Sequence, residues 1–169
     1  MPPFVDSALV EHTWRRLGAL PPRDMLALQR QSGKLQPELV GFVLGYTSRL
    51  SPEAVGLALY LMVVTIEMFR SAAPRKMRKI KDAAIMRLWR ESEEAIRRSL
   101  APDTDADPLS VLVASSSEPA VFEYIFDALT DTEQEDPVEL TADELEQLLA
   151  VLRTLCEGLH LGSQHTGAI

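Results

Sequence analysis

A weak internal repeat constrains the fold of this chain more than any other feature of its sequence. Residues 36–47 read QPELVGFVLGYT and residues 118–129 read EPAVFEYIFDAL, with proline second in each segment and apolar residues at matching later positions. Each segment is followed by a leucine, a helix-start triplet and a long apolar stretch, beginning at Leu50 and Leu140. Two-helix units that repeat along a chain fold by stacking on one another, so the repeat predicts an all-helical protein. The alternative is a chance resemblance between two helical hairpins.

Helix start and stop signals divide the chain into about seven to eight predicted helices. The triplet Ser51-Pro52-Glu53 is typical of a helix start, and Thr141 with Glu144 forms a capping box that begins another helix. Apolar spacing predicts a fifth helix over about 77–100. The first helix is predicted to bury Trp14 in its apolar stripe.

One predicted helix, residues 51–70, is apolar nearly all round, which is typical of a helix surrounded by its neighbours. We therefore expect the repeat units 36–70 and 118–160 to pack as two hairpins around this buried central helix. The predicted organisation is a single-domain bundle over residues 1–161, followed by a flexible C-terminal tail over residues 162–169.

Composition indicates a soluble protein, since 46% of residues are hydrophobic and 25% are charged. The one cysteine, Cys156, excludes an intramolecular disulfide, and its leucine-rich surroundings predict a buried structural thiol. Residues 1–12 show no signal-peptide pattern. The uncharged stretch 54–66 is shorter than the roughly 20 residues that a membrane helix needs. We therefore predict a cytoplasmic protein without a membrane partner.

Charge is unevenly distributed in this chain of net charge −8. Residues 75–100 carry nine basic and four acidic side chains, whereas residues 101–169 carry one basic and fifteen acidic. Five cations crowd into the predicted start of the fifth helix: Arg75, Lys76, Arg78, Lys79 and Lys81. Cations there oppose the helix dipole, so we expect a compensating partner: the acidic stretch 131–146 of the same or a second molecule, or nucleic acid. A solvated basic face is the simplest alternative, and the acidic balance argues against nucleic acid.

A candidate pocket between the fourth and eighth predicted helices is lined by Tyr60, Glu67 and Glu157. The repeat places the two carboxylates opposite each other, and paired carboxylates in a helical bundle can hold a metal or act as acid and base. Glu157 and His160 have the Glu-x-x-His spacing of di-iron bundles, but Arg70 follows Glu67 at that spacing, so a second such pair is missing. The incomplete ligand set and the lack of a glycine-rich phosphate loop predict no metal and no cofactor.

The leading functional hypothesis is a non-enzymatic helical interaction, scaffold or regulatory module that binds another protein or itself, because no catalytic constellation stands out. A small helical enzyme or ligand-binding bundle ranks second, and nucleic-acid binding through residues 75–81 ranks third. The predicted seventh helix carries more aromatic surface than one buried stripe needs. We therefore expect a homodimer with Phe122 and Phe126 at or near the interface.

Overall fold

The computed structural model describes residues 3–72, 76–101, 105–134 and 136–164. Within these ranges the protein is all-helical, as predicted, with eight helices and no strand. The helices are α1 (Ser7–Gly18), α2 (Pro22–Leu35), α3 (Pro37–Thr47), α4 (Pro52–Ala72), α5 (Asp82–Ser99), α6 (Pro108–Ala114), α7 (Pro119–Thr130) and α8 (Ala142–Ser163).

Local signals explain where most of these helices begin. Asp6 and Asp107 cap α1 and α6, each accepting a hydrogen bond from the backbone N–H three residues later. Thr141 and Glu144 form the predicted capping box of α8, in which each side chain accepts from the other residue's backbone N–H. Proline occupies the first turn of α2, α3, α6 and α7, where its missing N–H costs no intrahelical bond.

Two helices, rather than one, form the centre of the protein. The predicted central helix, α4, is buried along most of its length, and Val64 in its middle is 0% exposed. Its counterpart α8 is as well enclosed, because α3, α4, α5 and α7 all pack against it, and Cys156 on α8 is fully buried as predicted. In the described part of the chain, α4 is the one helix long and apolar enough to cross a membrane. Its burial by neighbouring helices is compatible with a soluble protein.

The fifth helix begins later than the sequence predicted. It starts at Asp82, and residues 76–81 are non-helical chain in which Met77 and Ile80 are buried. The basic residues of this segment therefore precede the helix instead of forming its first turn. The expectation that they oppose the α5 dipole from within the helix is wrong, because the apolar residues that gave the helical spacing anchor an irregular segment to the core.

The C-terminal tail begins later than predicted, because α8 continues through Ser163. Gly162 is buried in the last turn of α8, and its carbonyl accepts a hydrogen bond from the backbone N–H of Arg78 at 2.9 Å. A Cβ atom at position 162 would lie 2.7 Å from the Arg78 carbonyl oxygen, so glycine permits this close approach. The rest of the predicted tail, residues 165–169, lies outside the described residues.

The eight helices fall into two halves, α1–α4 and α5–α8, in which some of the helix pairs correspond, whereas α2 packs against α4 and α6 packs against α5. At the centre α4 packs on α8, while α1 packs against α4 and α7, and α5 packs against α8 and α3. The predicted repeat hairpins correspond to α3–α4 and α7–α8. Their N-cap residues, Gln36 and Glu118, share an uncommon backbone conformation, with φ −138° and ψ 68° in one and φ −128° and ψ 75° in the other.

The correspondence extends beyond the predicted repeat units to α1 and α5. The N-cap residues Asp6 and Lys81 have similar extended conformations, and the preceding Val5 and Ile80 are both buried. An offset of 75 residues (81 − 6) then aligns further similar residues in the two helices: Ala8 with Ala83, Val10 with Ile85, Trp14 with Trp89, and Arg15 with Arg90. The chain has two tryptophans, and both occupy the same position of corresponding helices.

Candidate functional site

The three residues of the predicted pocket do not share a site. Glu67 bonds with α1, Glu157 bonds with the residue before the N-cap of α7, and Tyr60 lines a groove between α1, α4 and α7. The repeat correctly matched the positions of the two carboxylates along α4 and α8. However, the side chains have different partners and therefore form no joint acid–base pair.

Glu67 is a structural residue that ties α1 to the end of α4. Its Oε1 accepts a hydrogen bond from Nη2 of Arg16 at 3.1 Å, and its Oε2 accepts one from Nε of Arg70 at 2.9 Å. Burial raises the pKa of Glu67, but the hydrogen bonds and charges of Arg70 and Arg16 outweigh burial and leave that pKa below its usual value. Glu67 is therefore a paired carboxylate at neutral pH.

Glu157 fixes the entry of the chain into α7. Its two carboxylate oxygens accept from the backbone N–H of Ser117 at 2.9 Å and from the Ser117 hydroxyl at 2.6 Å. His160, the other member of the Glu-x-x-His spacing, instead has its Nδ1 2.8 Å from Glu118. Among the described residues, no three His, Cys, Asp or Glu side chains are grouped so that they could hold a metal ion.

Two fully buried N-cap side chains, Glu118 and Gln36, each hold the segment that leads into the first helix of the other half. The Glu118 carboxylate accepts from the backbone N–H groups of Phe4 at 2.8 Å and Val5 at 3.1 Å. The Gln36 amide donates to the carbonyl of Arg78 at 2.9 Å and accepts from the N–H of Ile80 at 3.1 Å. We call these two sets of hydrogen bonds, made by Glu118 and by Gln36, the clasps. They pair backbone groups that the extended segments leave without partners, so both residues are structural.

The predicted basic surface is exposed in its described part, and Arg75 lies outside the described residues. The four remaining cations all face solvent: Lys76, Arg78, Lys79 and Lys81. Lys81 has its Nζ 3.7 Å from a carboxylate oxygen of Glu38. Over the residues that the structure describes, no ion pair joins this surface to the acidic stretch 131–146.

The predicted interface residues on α7 differ in exposure. Phe122 is 0% exposed in the core, so it cannot lie at an interface without rearrangement of the fold. Phe126 is half-buried and packs against the edge of the core. Some of the aromatic side chains of α7 are therefore buried in the core, because α7 packs against three helices, α1, α6 and α8.

An apolar groove lies on the outer surface between α1, α4 and α7. It has a volume of about 570 Å³, and its walls are mainly apolar and aromatic: Trp14, Leu57, Tyr60, Leu61, Tyr124 and Ala128. Trp14 is 39% exposed, which corrects the prediction that the first helix buries it. Among the described residues, its ring has one aromatic-face partner, the guanidinium of Arg15 at 5.6 Å. We refer to this feature as the Trp14 groove.

A second apolar depression continues the surface across α4. It has a volume of about 460 Å³ and lies between α2 and α4, where Leu26 is 48% exposed. Met25, Leu59 and Val63 contribute further apolar walls, and Tyr60 borders both this depression and the Trp14 groove. The two features together form an extended apolar surface across α4, bordered by α1, α2 and α7.

The corresponding tryptophan of the second half, Trp89, is packed by the protein's own aromatic rings from α3, and it lines a polar depression. Trp89 is 8% exposed, and its ring centroid lies 5.5 Å from that of Phe42 and 4.9 Å from that of Tyr46. The nearby depressions, of about 320 and 670 Å³, have mostly polar and charged walls that include Asp143 and Gln147. Trp89 is thus covered by other rings, and we call its surroundings the closed site. Trp14 is exposed beside a groove, and we call its surroundings the open site.

The polar tips of the groove tyrosines remain neutral over a wide pH range. Burial raises the pKa of Tyr124 well above its usual value, and the neighbouring Tyr60 raises it further. Burial likewise raises the pKa of Tyr60. Asp127 and Asp131 supply negative charge at one side of the groove, and both are exposed. The groove therefore combines an apolar floor with an acidic margin.

Sequence reasoning identified Tyr60 but assigned it to the wrong pocket, and it missed the Trp14 groove. A usable signal was present, because the alignment of 36–47 with 118–129 pairs Tyr46 with Ala128. Because Ala128 has no ring, Trp14 lacks the aromatic neighbour that Tyr46 provides for Trp89. The sequence alone does not reveal this, since it does not show that α1 packs against α7 and α5 against α3.

Comparisons with known proteins found no relative of this chain. No protein-family model, no curated protein and no solved structure matches this chain.

Proposed function

We propose that this protein is a helical interaction module, with a scaffold or regulatory role, that binds a partner protein through the Trp14 groove. The observation that carries the proposal is a tryptophan 39% exposed beside about 570 Å³ of unfilled volume with apolar walls. Tryptophan and tyrosine dominate the binding energy of protein interfaces when they border a pocket from which the partner displaces water.

The hydrogen bonds of the candidate catalytic residues also favour a binding function over a catalytic one. Glu67 and Glu157 both use their carboxylate oxygens to hold helices together, and Glu118 does the same for the N-terminal segment. A general acid or base needs a proton-transfer path to substrate in a cleft. The walls of the Trp14 groove are instead suited to burying apolar side chains.

The other hypotheses keep their order. A small enzyme or ligand-binding bundle is second, although Tyr60 is its one candidate residue that lines the Trp14 groove. Nucleic-acid binding is third: residues 76–81 present exposed cations, but the whole chain has a net charge of −8. A homodimer remains a proposal, and its interface would have to exclude Phe122. We expect a cytoplasmic location, since a free buried cysteine suits a reducing compartment.

A displayed library of random peptides, selected on the immobilised full-length protein, tests the proposed function. Peptides enriched on wild type should lose binding to Trp14→Ala, which removes the exposed ring. They should retain binding to Leu44→Ala, a matched control that removes a side chain 44% exposed on α3, away from the groove. Failure to enrich any peptide, or equal binding to Trp14→Ala, would contradict the proposal.

A further inference from the structure

We infer that the partner inserts a tyrosine side chain into the Trp14 groove and places basic residues beside its acidic margin. This inference rests on the proposed function and specifies the chemistry of the partner. It comes from the Trp89 site, where a tyrosine of this chain, Tyr46 on α3, packs on the corresponding tryptophan.

Tyr46 is the internal template for the missing ring. From α3 its ring packs on Trp89 of α5, with centroids 4.9 Å apart, and that tryptophan is 8% exposed. The equivalent position on α7 is Ala128, which lines the Trp14 groove and has no ring to supply. An aromatic side chain from outside would therefore take the place that Tyr46 takes in the other half.

The first half compensates only in part for this difference. Tyr60 on α4 is a large residue at the position where α8 has Ala150, by the repeat offset of 90 residues (150 − 60). Its ring borders the groove, yet among the described aromatic side chains Trp14 makes no ring–ring contact. The remaining volume of about 570 Å³ is larger than one aromatic side chain, so a ring and part of its flanking chain can enter.

Polar contacts favour tyrosine over phenylalanine. The Tyr46 hydroxyl donates to the sulfur of Met86 at 3.9 Å in the second half. The offset of 75 residues (86 − 11) places Glu11 at the equivalent position of α1. The Glu11 carboxylate lies 2.6 Å from Arg15, whose guanidinium contacts the Trp14 ring. Glu11 lies outside the residues that line the groove, one helical turn before Arg15, and a tyrosine hydroxyl that reaches it would have a stronger acceptor than a thioether.

Charge complementarity specifies the flanking residues. Asp127 and Asp131 border the groove, whereas the equivalent positions of the second half, from the 36–47 alignment and its continuation, hold Gly45 and Arg49. The two α7 carboxylates therefore have no acidic counterparts on α3, although the depression that Trp89 lines has acidic residues of its own on α5 and α8. A partner segment with lysine or arginine after its tyrosine would pair with these exposed carboxylates and associate faster than a neutral segment.

Nuclear magnetic resonance of the two indole N–H groups tests the inference with synthetic peptides. The probes are four nine-residue peptides: one with a central tyrosine followed by two lysines, two in which phenylalanine or leucine replaces the tyrosine, and one in which glutamates replace the lysines. The tyrosine–lysine peptide should shift the Trp14 signal saturably and leave the Trp89 signal in place, so Trp89 serves as an internal control. We expect binding to weaken about threefold with phenylalanine, and about tenfold with leucine or with glutamates.

Three variants locate the binding, the last of them as a substitute for the first. Ala128→Tyr installs the residue of the closed half, and it should abolish the response of Trp14 while the melting temperature stays near that of wild type. Thr130→Tyr is the matched control, because it adds the same ring at an exposed position of α7 that does not border the groove, and it should bind normally. Should Ala128→Tyr misfold, the exposed substitution Asp131→Lys should reduce the preference for lysine over glutamate in the peptide about tenfold.

The outcomes separate the inference from the proposed function. Equal binding of the leucine and tyrosine peptides, or no response of Trp14 to any of the four, would overturn the inference. Library peptides that need Trp14 but lack aromatic and basic residues would leave the proposed function intact. A Trp14 signal that shifts with protein concentration alone would place a second copy in the groove and also overturn the inference.

Discussion

The two tryptophan sites show how a repeated helical unit can serve structure in one half and binding in the other. Trp89 lies under the rings of Phe42 and Tyr46, and the surrounding surface is polar. Trp14 occupies the same position of the corresponding helix, but Ala128 replaces the covering tyrosine and the site stays open. A single difference in side-chain size on a neighbouring helix therefore accounts for much of the contrast between a core residue and a candidate binding residue.

At the clasps, by contrast, two different side chains have the same structural role. Gln36 and Glu118 each hold the segment that leads into the first helix of the other half. Gln36 has both a donor and an acceptor, and it pairs with one carbonyl and one N–H of the segment before α5. Glu118 has acceptors only, and it pairs with two N–H groups before α1 and with His160. The choice of amide or carboxylate follows from which backbone groups the facing segment presents.

Substitutions at the centre of α4 should have the largest effect. Val64→Asp places an uncompensated charge in the core at a cost of several kcal/mol, comparable with the whole stability of a domain, so we expect unfolding. The position equivalent to Val64 in α8 is Thr154, whose hydroxyl donates to the carbonyl of Ala150 at 2.8 Å. Val64→Thr should therefore cost only about 1 kcal/mol. Urea denaturation would measure both, and a cooperatively folded Val64→Asp would contradict the symmetric role of α4 and α8.

Removing each tryptophan should reveal the difference between the closed and open sites. Trp89→Ala leaves a cavity under Phe42 and Tyr46 and should cost about 3–5 kcal/mol. Trp14→Ala removes a ring that is 39% exposed, and it should cost about 1 kcal/mol. Thermal unfolding of the two variants checks this order. Equal losses would mean that Trp14 contributes to the core as much as Trp89 does.

The two clasps should differ in strength because they leave different groups unpaired. Glu118→Ala strands the N–H groups of Phe4 and Val5 and should cost about 3 kcal/mol. Gln36→Ala strands one N–H and one carbonyl, and we expect about 2 kcal/mol, since a carbonyl finds other donors more easily. Hydrogen exchange should show which segment each variant loosens. Loosening of the segment before α5 by Glu118→Ala would contradict the assignment.

The last prediction concerns the pH dependence of the stability that Glu67 contributes. The arginines hold the pKa of Glu67 below its usual value, about 4.3, so its contribution to stability is complete above that value. It is lost as pH falls through the lower folded pKa, because the unfolded chain then binds the proton more readily. Glu67→Gln should be about 1–2 kcal/mol less stable than wild type at pH 7.

The same measurement at lower pH completes that test. As the pH falls through the folded pKa of Glu67, the difference in unfolding free energy between wild type and Glu67→Gln should shrink. Arg16→Gln offers a control, because it removes one of the two cations that lower the pKa of Glu67. With Arg16→Gln as the parent protein, the stability difference caused by Glu67→Gln should change over a narrower range of pH. A stability difference that stays constant with pH would contradict an ionic role for Glu67.

Much of the fold was predictable because its signals are local. Proline in the first helical turn and the capping box of Thr141 and Glu144 act within a few residues, so the sequence located helix starts well. The apolar character of residues 51–70 likewise predicted a central helix from composition alone. The start of α5 was mispredicted because Met77 and Ile80 have helical spacing but reach the core from an irregular segment.

The candidate site was poorly predicted because it depends on contacts between distant helices. Tyr60 was expected beside Glu67 and Glu157, but hydrogen bonds across the bundle give both carboxylates other partners. Phe122 was expected at the surface, and packing of α7 against three helices buries it. Spacing along a helix indicates which residues share a face, but it does not indicate which neighbour covers that face.

The sequence by itself determined an all-helical chain, most helix starts and the buried α4, since backbone preferences and apolar periodicity act over short distances. Tertiary structure alone decided that α8 shares the centre and that Gln36 and Glu118 clasp the opposite halves. It also decided that one tryptophan is covered while the other lines a groove. The exposure of a ring depends on which side chains arrive from elsewhere in the chain, and here that is Tyr46 beside Trp89 and Ala128 beside Trp14.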